Sequence, residues 1–170
     1  MKITDVFATD VYKVIRPNPI AVGASLNFKA VDTGLQEVEL GQFPARFKII
    51  SVTPSLDTPV CFAQTKKLDK LIARADGLMI SVSLDLPFAQ KRSCDFRHGR
   101  KHLLWSDYLY RDFATQTGLD MKRVGLLCRA VLVVDANNMV VYRQVANPVK
   151  VALDFEDLFL FLKTNFDVQP

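Results

Sequence analysis

Cys61 is the residue of this sequence with the clearest capacity for chemistry. It follows a loop with the sequence Thr53-Pro54-Ser55-Leu56-Asp57-Thr58-Pro59-Val60. Thr58 suits the N-cap of a helix and Pro59 its first residue, because a proline there removes an amide that has no helical partner anyway. Cys61 then lies in the first turn, where the helix dipole and the amides of Val60 and Cys61 favour the nucleophilic thiolate. The alternative is a small buried hydrophobe, and position alone leaves both open.

Two strands and one helix must position this cysteine. The run Phe47–Val52 before the loop is rich in β-branched residues and predicts a buried strand. Residues 60–75 carry apolar side chains along one helical face, and Gly77 indicates the helix end. Residues 78–84 predict a second buried strand. The three elements form a βαβ unit, so we expect parallel strands with a right-handed crossover.

The rest of the chain predicts further strands and helices on either side of this unit. Before the unit we expect an N-terminal hairpin at 3–15 and short strands at 26–31 and 35–40. After it we expect a helix from Pro87 toward Cys94, a short strand at 102–105 and a helix at 107–117. The chain then predicts a hairpin of 130–134 with 139–143 and a last helix at 154–164. This order is typical of a thioredoxin-like α/β fold, a central mixed sheet flanked by helices with an N-terminal β-hairpin. There is no Cys-x-x-Cys dithiol.

Composition indicates one ordinary globular domain over residues 1–170. Hydrophobic residues make up 49% and charged residues 24%, and the net charge is +4 with both signs interspersed. We therefore expect no nucleic-acid binding. The N-terminus has no continuous apolar segment, and no stretch reaches the roughly 18 apolar residues of a membrane span, so we expect a cytoplasmic protein without membrane attachment. The three scattered cysteines do not suit a secreted disulfide scaffold.

Two ordered motifs make the resemblance to a known family specific. Residues 54–61 fit the Pro-x-x-x-Thr-x-x-Cys signature of peroxiredoxins. The segment Ser83-Leu84-Asp85-Leu86-Pro87-Phe88-Ala89-Gln90, with Cys94 after it, resembles the second signature of the bacterial thiol peroxidase subfamily, the atypical two-cysteine type. The resemblance covers nearly the whole chain.

The resemblance implies a role for each matching residue. Cys61 would be the peroxidatic cysteine and Cys94 the resolving cysteine, joined as an intramolecular disulfide during turnover. Pro54 and Thr58 would shield and polarise the thiol, and Arg129 would be the family's arginine. A guanidinium stays charged and can hold a peroxide oxygen while favouring the thiolate. Thr58, Val60, Cys61 and Arg129 would together bind the peroxide.

The resemblance also implies the reaction and its partners. We expect a thiol-dependent peroxidase that reduces hydrogen peroxide and organic hydroperoxides in antioxidant defence, with thioredoxin as reductant, no cofactor, and a homodimer as its assembly. Formation of the Cys61–Cys94 disulfide would need local unwinding of both helix segments, because a disulfide requires Cα atoms within about 7 Å. The rivals are a disulfide reductase or isomerase, which the missing dithiol disfavours, and a redox sensor that oxidises without turnover.

We expect structural or surface roles, rather than chemical ones, for three further residues, Cys128, His98 and His102. Cys128 neighbours Arg129 on a strand, so the two side chains face opposite sides, and we expect Cys128 to be a structural thiol. Cys94, His98 and His102 recur at four-residue intervals, but Gly99 interrupts that helix and no fourth ligand is evident. We therefore expect two surface histidines and no metal site.

Overall fold

A computed structural model describes residues 19–93, 101–121, 124–146 and 151–169. The predicted N-terminal hairpin lies outside these residues. In chain order the elements are β1 (Lys29–Asp32), β2 (Glu37–Glu39), a 3-10 turn (Leu40–Gln42), β3 (Phe47–Val52), α1 (Pro59–Ala73), β4 (Leu78–Ser83), α2 (Pro87–Ser93), β5 (His102–Ser106), α3 (Asp112–Thr117), β6 (Asp120–Met121), β7 (Leu126–Leu127), β8 (Ala130–Asp135), β9 (Val140–Val145) and α4 (Phe155–Phe166).

Seven of the strands form one mixed sheet in the order β2-β1-β5-β4-β3-β8-β9. The pairs β3–β4 and β4–β5 are parallel and the other pairs are antiparallel. The predicted βαβ unit is therefore confirmed, with α1 as the crossover between β3 and β4. The last hairpin is also confirmed, since β8 and β9 pair antiparallel around the turn after Asp135.

Helices cover both faces of the sheet, which confirms the thioredoxin-like layout. On one face, Ile49 of β3 packs with Leu68 and Ile72 of α1 and with Leu158 and Leu162 of α4. On the other face, Ile50 of β3 belongs to a cluster that includes Trp105 of β5 and Phe113 of α3. A strand covered on both faces needs apolar residues at successive positions, which explains the continuous run of β3.

Two element boundaries differ from the predictions, the start of α3 and the end of α1. Gly118 ends α3 in the left-handed conformation (φ +65°), as expected, but the helix begins at Asp112 rather than at residue 107. Helix α1 ends at Ala73, before Gly77. Gly77 is needed for packing instead, because a Cβ there would lie 2.7 Å from the ring of Phe47. Gly77 is therefore a close-approach glycine, and the prediction of a helix stop was wrong.

The second helix and the last helix are confirmed, with small shifts in extent. Helix α4 runs from Phe155 to Phe166, and Asp154 caps it by accepting hydrogen bonds from the amides of Glu156 and Asp157.

The β6–β7 ladder, which holds two residue pairs, was not predicted. In the described ranges, no helix is long and apolar enough to cross a membrane.

Candidate active site

Cys61 lies in the first turn of α1, as the loop sequence predicts. Thr58 is the N-cap, its Oγ1 accepts a hydrogen bond from the Cys61 amide at 3.4 Å, and Pro59 is the first helical residue. The Thr58 hydroxyl donates to the Ser55 carbonyl at 3.2 Å. Cys61 itself is buried, with 1% of its surface exposed. The hydroxyl hydrogen of Thr58 and the Cys61 amide are thus both engaged within the loop, and a contact with peroxide requires them to reorient.

The two signature segments are joined by a hydrogen bond between Leu56 and Asp85. The Leu56 amide donates to Asp85 Oδ2 at 2.7 Å, and the Ser83 hydroxyl donates to the same oxygen at 2.9 Å. The Leu56 side chain is buried with Leu104. Pro54 is buried as well. The loop before Cys61 is therefore fixed to the segment that follows β4.

Gln90 joins helix α2 to the same segment and to β5. The Gln90 amide nitrogen donates to the Ser83 hydroxyl at 3.0 Å and to the Trp105 carbonyl at 2.9 Å. Helix α2 ends at Ser93. Cys94 follows directly but lies outside the described residues, so its predicted role as the resolving cysteine stays a prediction.

Arg129 reaches α1 through Gln64. Arg129 precedes β8, is 5% exposed, and donates from Nη1 to Gln64 Oε1 at 3.1 Å. Gln64 lies three residues after Cys61, hence about one turn further along the helix and on the same side. Its amide nitrogen donates to the Ser51 hydroxyl of β3 at 3.0 Å. The structure therefore brings Arg129 to the residue that lies one helical turn after Cys61 on the same side of α1.

Sequence reasoning missed Gln64, although a signal was present. In the sequence, Gln64 lies three positions after Cys61 and four before Leu68, hence on the apolar face of the helix, and the structure shows that it is buried. Buried polar side chains are almost always hydrogen-bonded, so a glutamine at this position indicates a partner across the core. The partner's identity depends on β8, which is distant in sequence.

Cys128 lies on the opposite side of the chain from Arg129, as predicted. It is buried in the same cluster as Ala130 and Leu132, away from α1. Burial raises the pKa of the Cys128 thiol to about 12. A thiol in that state is protonated at neutral pH and is a poor nucleophile.

His102 is not a surface histidine, and that expectation was wrong. It begins β5 and is 1% exposed. Its Nδ1 lies 2.9 Å from Asp69 Oδ1 of α1, and its Nε2 lies 2.9 Å from the Ser81 hydroxyl of β4. This buried trio ties α1 to the sheet. Cys94 and His98 lie outside the described residues.

A cavity of about 310 Å³ lies between the cysteine loop and the end of α2. Asp57, Thr58 and Phe62 line one side, and Arg92 and Ser93 line the other. A second cavity, of about 150 Å³, is lined by Val60, Gln64 and Arg129 among others. Space for a small substrate is therefore present beside the first turn of α1.

Comparison with known proteins agrees with this fold. A family model described as Redoxin matches residues 21–158. The thiol peroxidase of Staphylococcus haemolyticus is 40% identical over 121 residues, which cover 71% of this chain and 74% of that protein. That of Staphylococcus saprophyticus is 40% identical over 129 residues, or 76% of this chain and 79% of the relative.

Solved structures show the same architecture. The crystal structure of a peroxiredoxin-like protein from Aquifex aeolicus has a TM-score of 0.72 at 31% identity, covering 86% of this chain and 88% of that chain. The thiol peroxidase from Chromobacterium violaceum has a TM-score of 0.73 at 21% identity, with the same coverage, and shows the likeness of fold alone.

The fold and the capped cysteine therefore define a thioredoxin-like protein of the peroxiredoxin type. The chain belongs to the Redoxin family. The predicted resemblance to the bacterial thiol peroxidases is confirmed, and so is the prediction that the protein is a peroxidase enzyme.

Proposed function

We propose that the protein reduces hydrogen peroxide and organic hydroperoxides with Cys61 as the peroxidatic cysteine and Cys94 as the resolving cysteine. One arrangement carries the proposal: Cys61 occupies the capped first turn of α1, and Gln64, one turn further on the same side, binds Arg129. A thiol at a helix N-terminus near a guanidinium is in the electropositive surroundings that reactive cysteines require.

In the first step the Cys61 thiolate attacks one peroxide oxygen and the O–O bond breaks. The sulfur becomes a sulfenic acid, and the other oxygen leaves as hydroxide or alkoxide and takes a proton to give water or an alcohol. Arg129 and the amides of Val60 and Cys61 stabilise the charge on the leaving oxygen. Thr58 directs its hydroxyl to the peroxide after leaving Ser55, and Pro54 shields the site from water.

In the second step the Cys94 thiol condenses with the sulfenic acid. A Cys61–Cys94 disulfide forms and water leaves. An external dithiol, thioredoxin in this proposal, reduces the disulfide and is itself oxidised. Because Cys61 is buried in an intact helical turn, the first turn of α1 must unwind for the two sulfurs to meet.

The assembly and location belong to the same proposal. A homodimer and a cytoplasmic location are proposed, the latter because three scattered cysteines suit a reducing compartment better than a secreted scaffold. The rival is a redox sensor with the same disulfide, which would oxidise once and stop. Continued peroxide consumption with a thioredoxin system distinguishes the two.

Mass spectrometry after one equivalent of peroxide tests the cysteine assignment. The Cys94→Ser variant should accumulate a sulfenic acid at Cys61, trapped with dimedone, and the Cys61→Ser variant should show no such species at Cys94. Cys128→Ser is the matched control and should form the Cys61–Cys94 disulfide as the wild type does. A sulfenic acid at Cys94 in Cys61→Ser would refute the assignment.

A further inference from the structure

A groove between α1 and α4 lies outside the site described above. Its volume is about 450 Å³, which is within the usual range of small-molecule sites. Its walls are formed by Leu68 and Leu71 of α1 and by Phe155 and Phe159 of α4. Both phenylalanines are only half-buried. We call this feature the α1–α4 groove, and its floor suits an apolar ligand.

One rim of the groove is cationic. Lys67, Lys70 and Arg74 line it from α1, and their spacing places them along one side of the helix. Glu156 is the acidic residue of the lining. The Lys67 ammonium lies 4.3 Å from the centre of the Phe155 ring, which is a cation–π contact. Three cations against one carboxylate favour an anionic group at the rim.

The groove adjoins the cavity beside Arg129. Lys67 and Phe155 line both of them, and the smaller cavity extends to Val60 and Arg129. From Val60 to Arg74 the two cavities follow α1 for about 21 Å, at 1.5 Å per residue. An occupant of this length is extended rather than compact. The end at Arg74 is cationic and the centre is aromatic.

We propose that the α1–α4 groove binds a free long-chain fatty acid. Its carboxylate lies at Lys70 and Arg74, whose cationic groups can form charge-assisted hydrogen bonds with it. Its alkyl chain lies on Phe159 and Phe155 and extends toward the apolar side chains of Val60 and Leu153, and the burial of that chain supplies most of the binding free energy. The carboxylate end lies away from the peroxide site, and only the far end of the chain reaches the cavity beside Arg129. Palmitate binding is measured on the reduced protein without peroxide, so its outcome does not depend on which residues carry out peroxide reduction.

Isothermal titration calorimetry with palmitate, below its micelle-forming concentration, tests the proposal. Palmitate should bind the reduced wild-type protein with one site per chain. The double variant Lys70→Ala with Arg74→Ala should weaken binding about tenfold or more, equivalent to about 1.4 kcal/mol. Lys66→Ala is the matched control, because Lys66 is an exposed lysine of the same helix that lines neither cavity, and its binding should stay within about twofold of the wild type.

Two further ligands separate the proposal from its rivals. Octanoate carries the same carboxylate but a shorter chain and should bind much more weakly than palmitate, and hexadecanol lacks the charge and should lose the dependence on Lys70 and Arg74. Absence of palmitate binding, or equal loss in Lys66→Ala and the double variant, would overturn the proposal. So would binding to vesicles of anionic phospholipid without any binding of free palmitate, since the surface would then be a membrane contact.

Discussion

Arg129 donates a hydrogen bond to Gln64 at 3.1 Å, across 65 positions of sequence. Gln64 also donates to the Ser51 hydroxyl of β3. The guanidinium is thus held by an amide that is itself fixed to the sheet. A guanidinium in a defined position can orient a peroxide, whereas a mobile one loses part of that effect.

Replacing Gln64 should slow peroxide reduction without unfolding the protein. Gln64→Leu removes the acceptor for Arg129, and we expect the rate constant for hydrogen peroxide to fall about tenfold to a hundredfold, the scale of a lost positioning contact. Gln64→Glu keeps an acceptor and should retain most of the rate. Competition kinetics measure the rate, and urea unfolding reports stability. Equal losses in both variants would refute the positioning role.

Removing the Asp85 carboxylate should loosen the cysteine loop. Asp85→Ala leaves the Leu56 amide without its acceptor, and a partly buried amide left unpaired costs about 1–3 kcal/mol. Hydrogen exchange at Leu56 should therefore become faster. Asp57→Ala, which removes an exposed carboxylate from the same loop, is the control and should leave that exchange rate unchanged. Unchanged exchange in Asp85→Ala would contradict the prediction.

Cys128 should be dispensable for peroxide reduction. Its pKa is raised to about 12 by burial, so the thiol is protonated at neutral pH and should react with a thiol reagent only after unfolding. Cys128→Ala should keep the wild-type rate and lose about 1 kcal/mol of stability from the small cavity. Timed labelling in native buffer and in urea measures the reactivity of the Cys128 thiol in the folded and the unfolded protein. A slower rate with unchanged stability would show that the residue acts in catalysis.

Asp107 should make the protein more stable at mildly acidic pH than at neutral pH. Burial raises the pKa of its carboxyl from 3.8 to about 6, although the amides of Ala114 and Phe113 donate to it and oppose the shift. Between about pH 4 and 6 the folded protein therefore binds more protons than the unfolded chain, and the contribution of this group to the free energy of unfolding falls as pH rises through that window. The full effect is at most about 3 kcal/mol.

The Asp107→Asn variant isolates this effect, because an amide keeps an acceptor oxygen but does not titrate. Denaturant unfolding at several pH values between 4 and 7 should show that the free energy of unfolding of the wild type falls more steeply with rising pH than that of Asp107→Asn. Parallel pH profiles for the two proteins would exclude a raised pKa at Asp107.

The sequence by itself determined the local features. Thr58 and Pro59 fix the start of α1, and therefore the place of Cys61, because helix capping depends on neighbouring residues alone. The buried strands β3, β4 and β8 were predicted from their continuous apolar runs. The alternation of these strands with a helix was enough to predict the thioredoxin-like fold.

Only the tertiary structure decided which distant residues meet. The contacts of Arg129 with Gln64, of Asp85 with Leu56 and of His102 with Asp69 join elements far apart in sequence, and no periodicity reports such partners. Gly77 is a further example, because the Phe47 ring of a neighbouring strand leaves no room for a side chain at this position. Local hydrogen bonding fixes where an element begins, whereas the packing of the sheet fixes what each side chain touches.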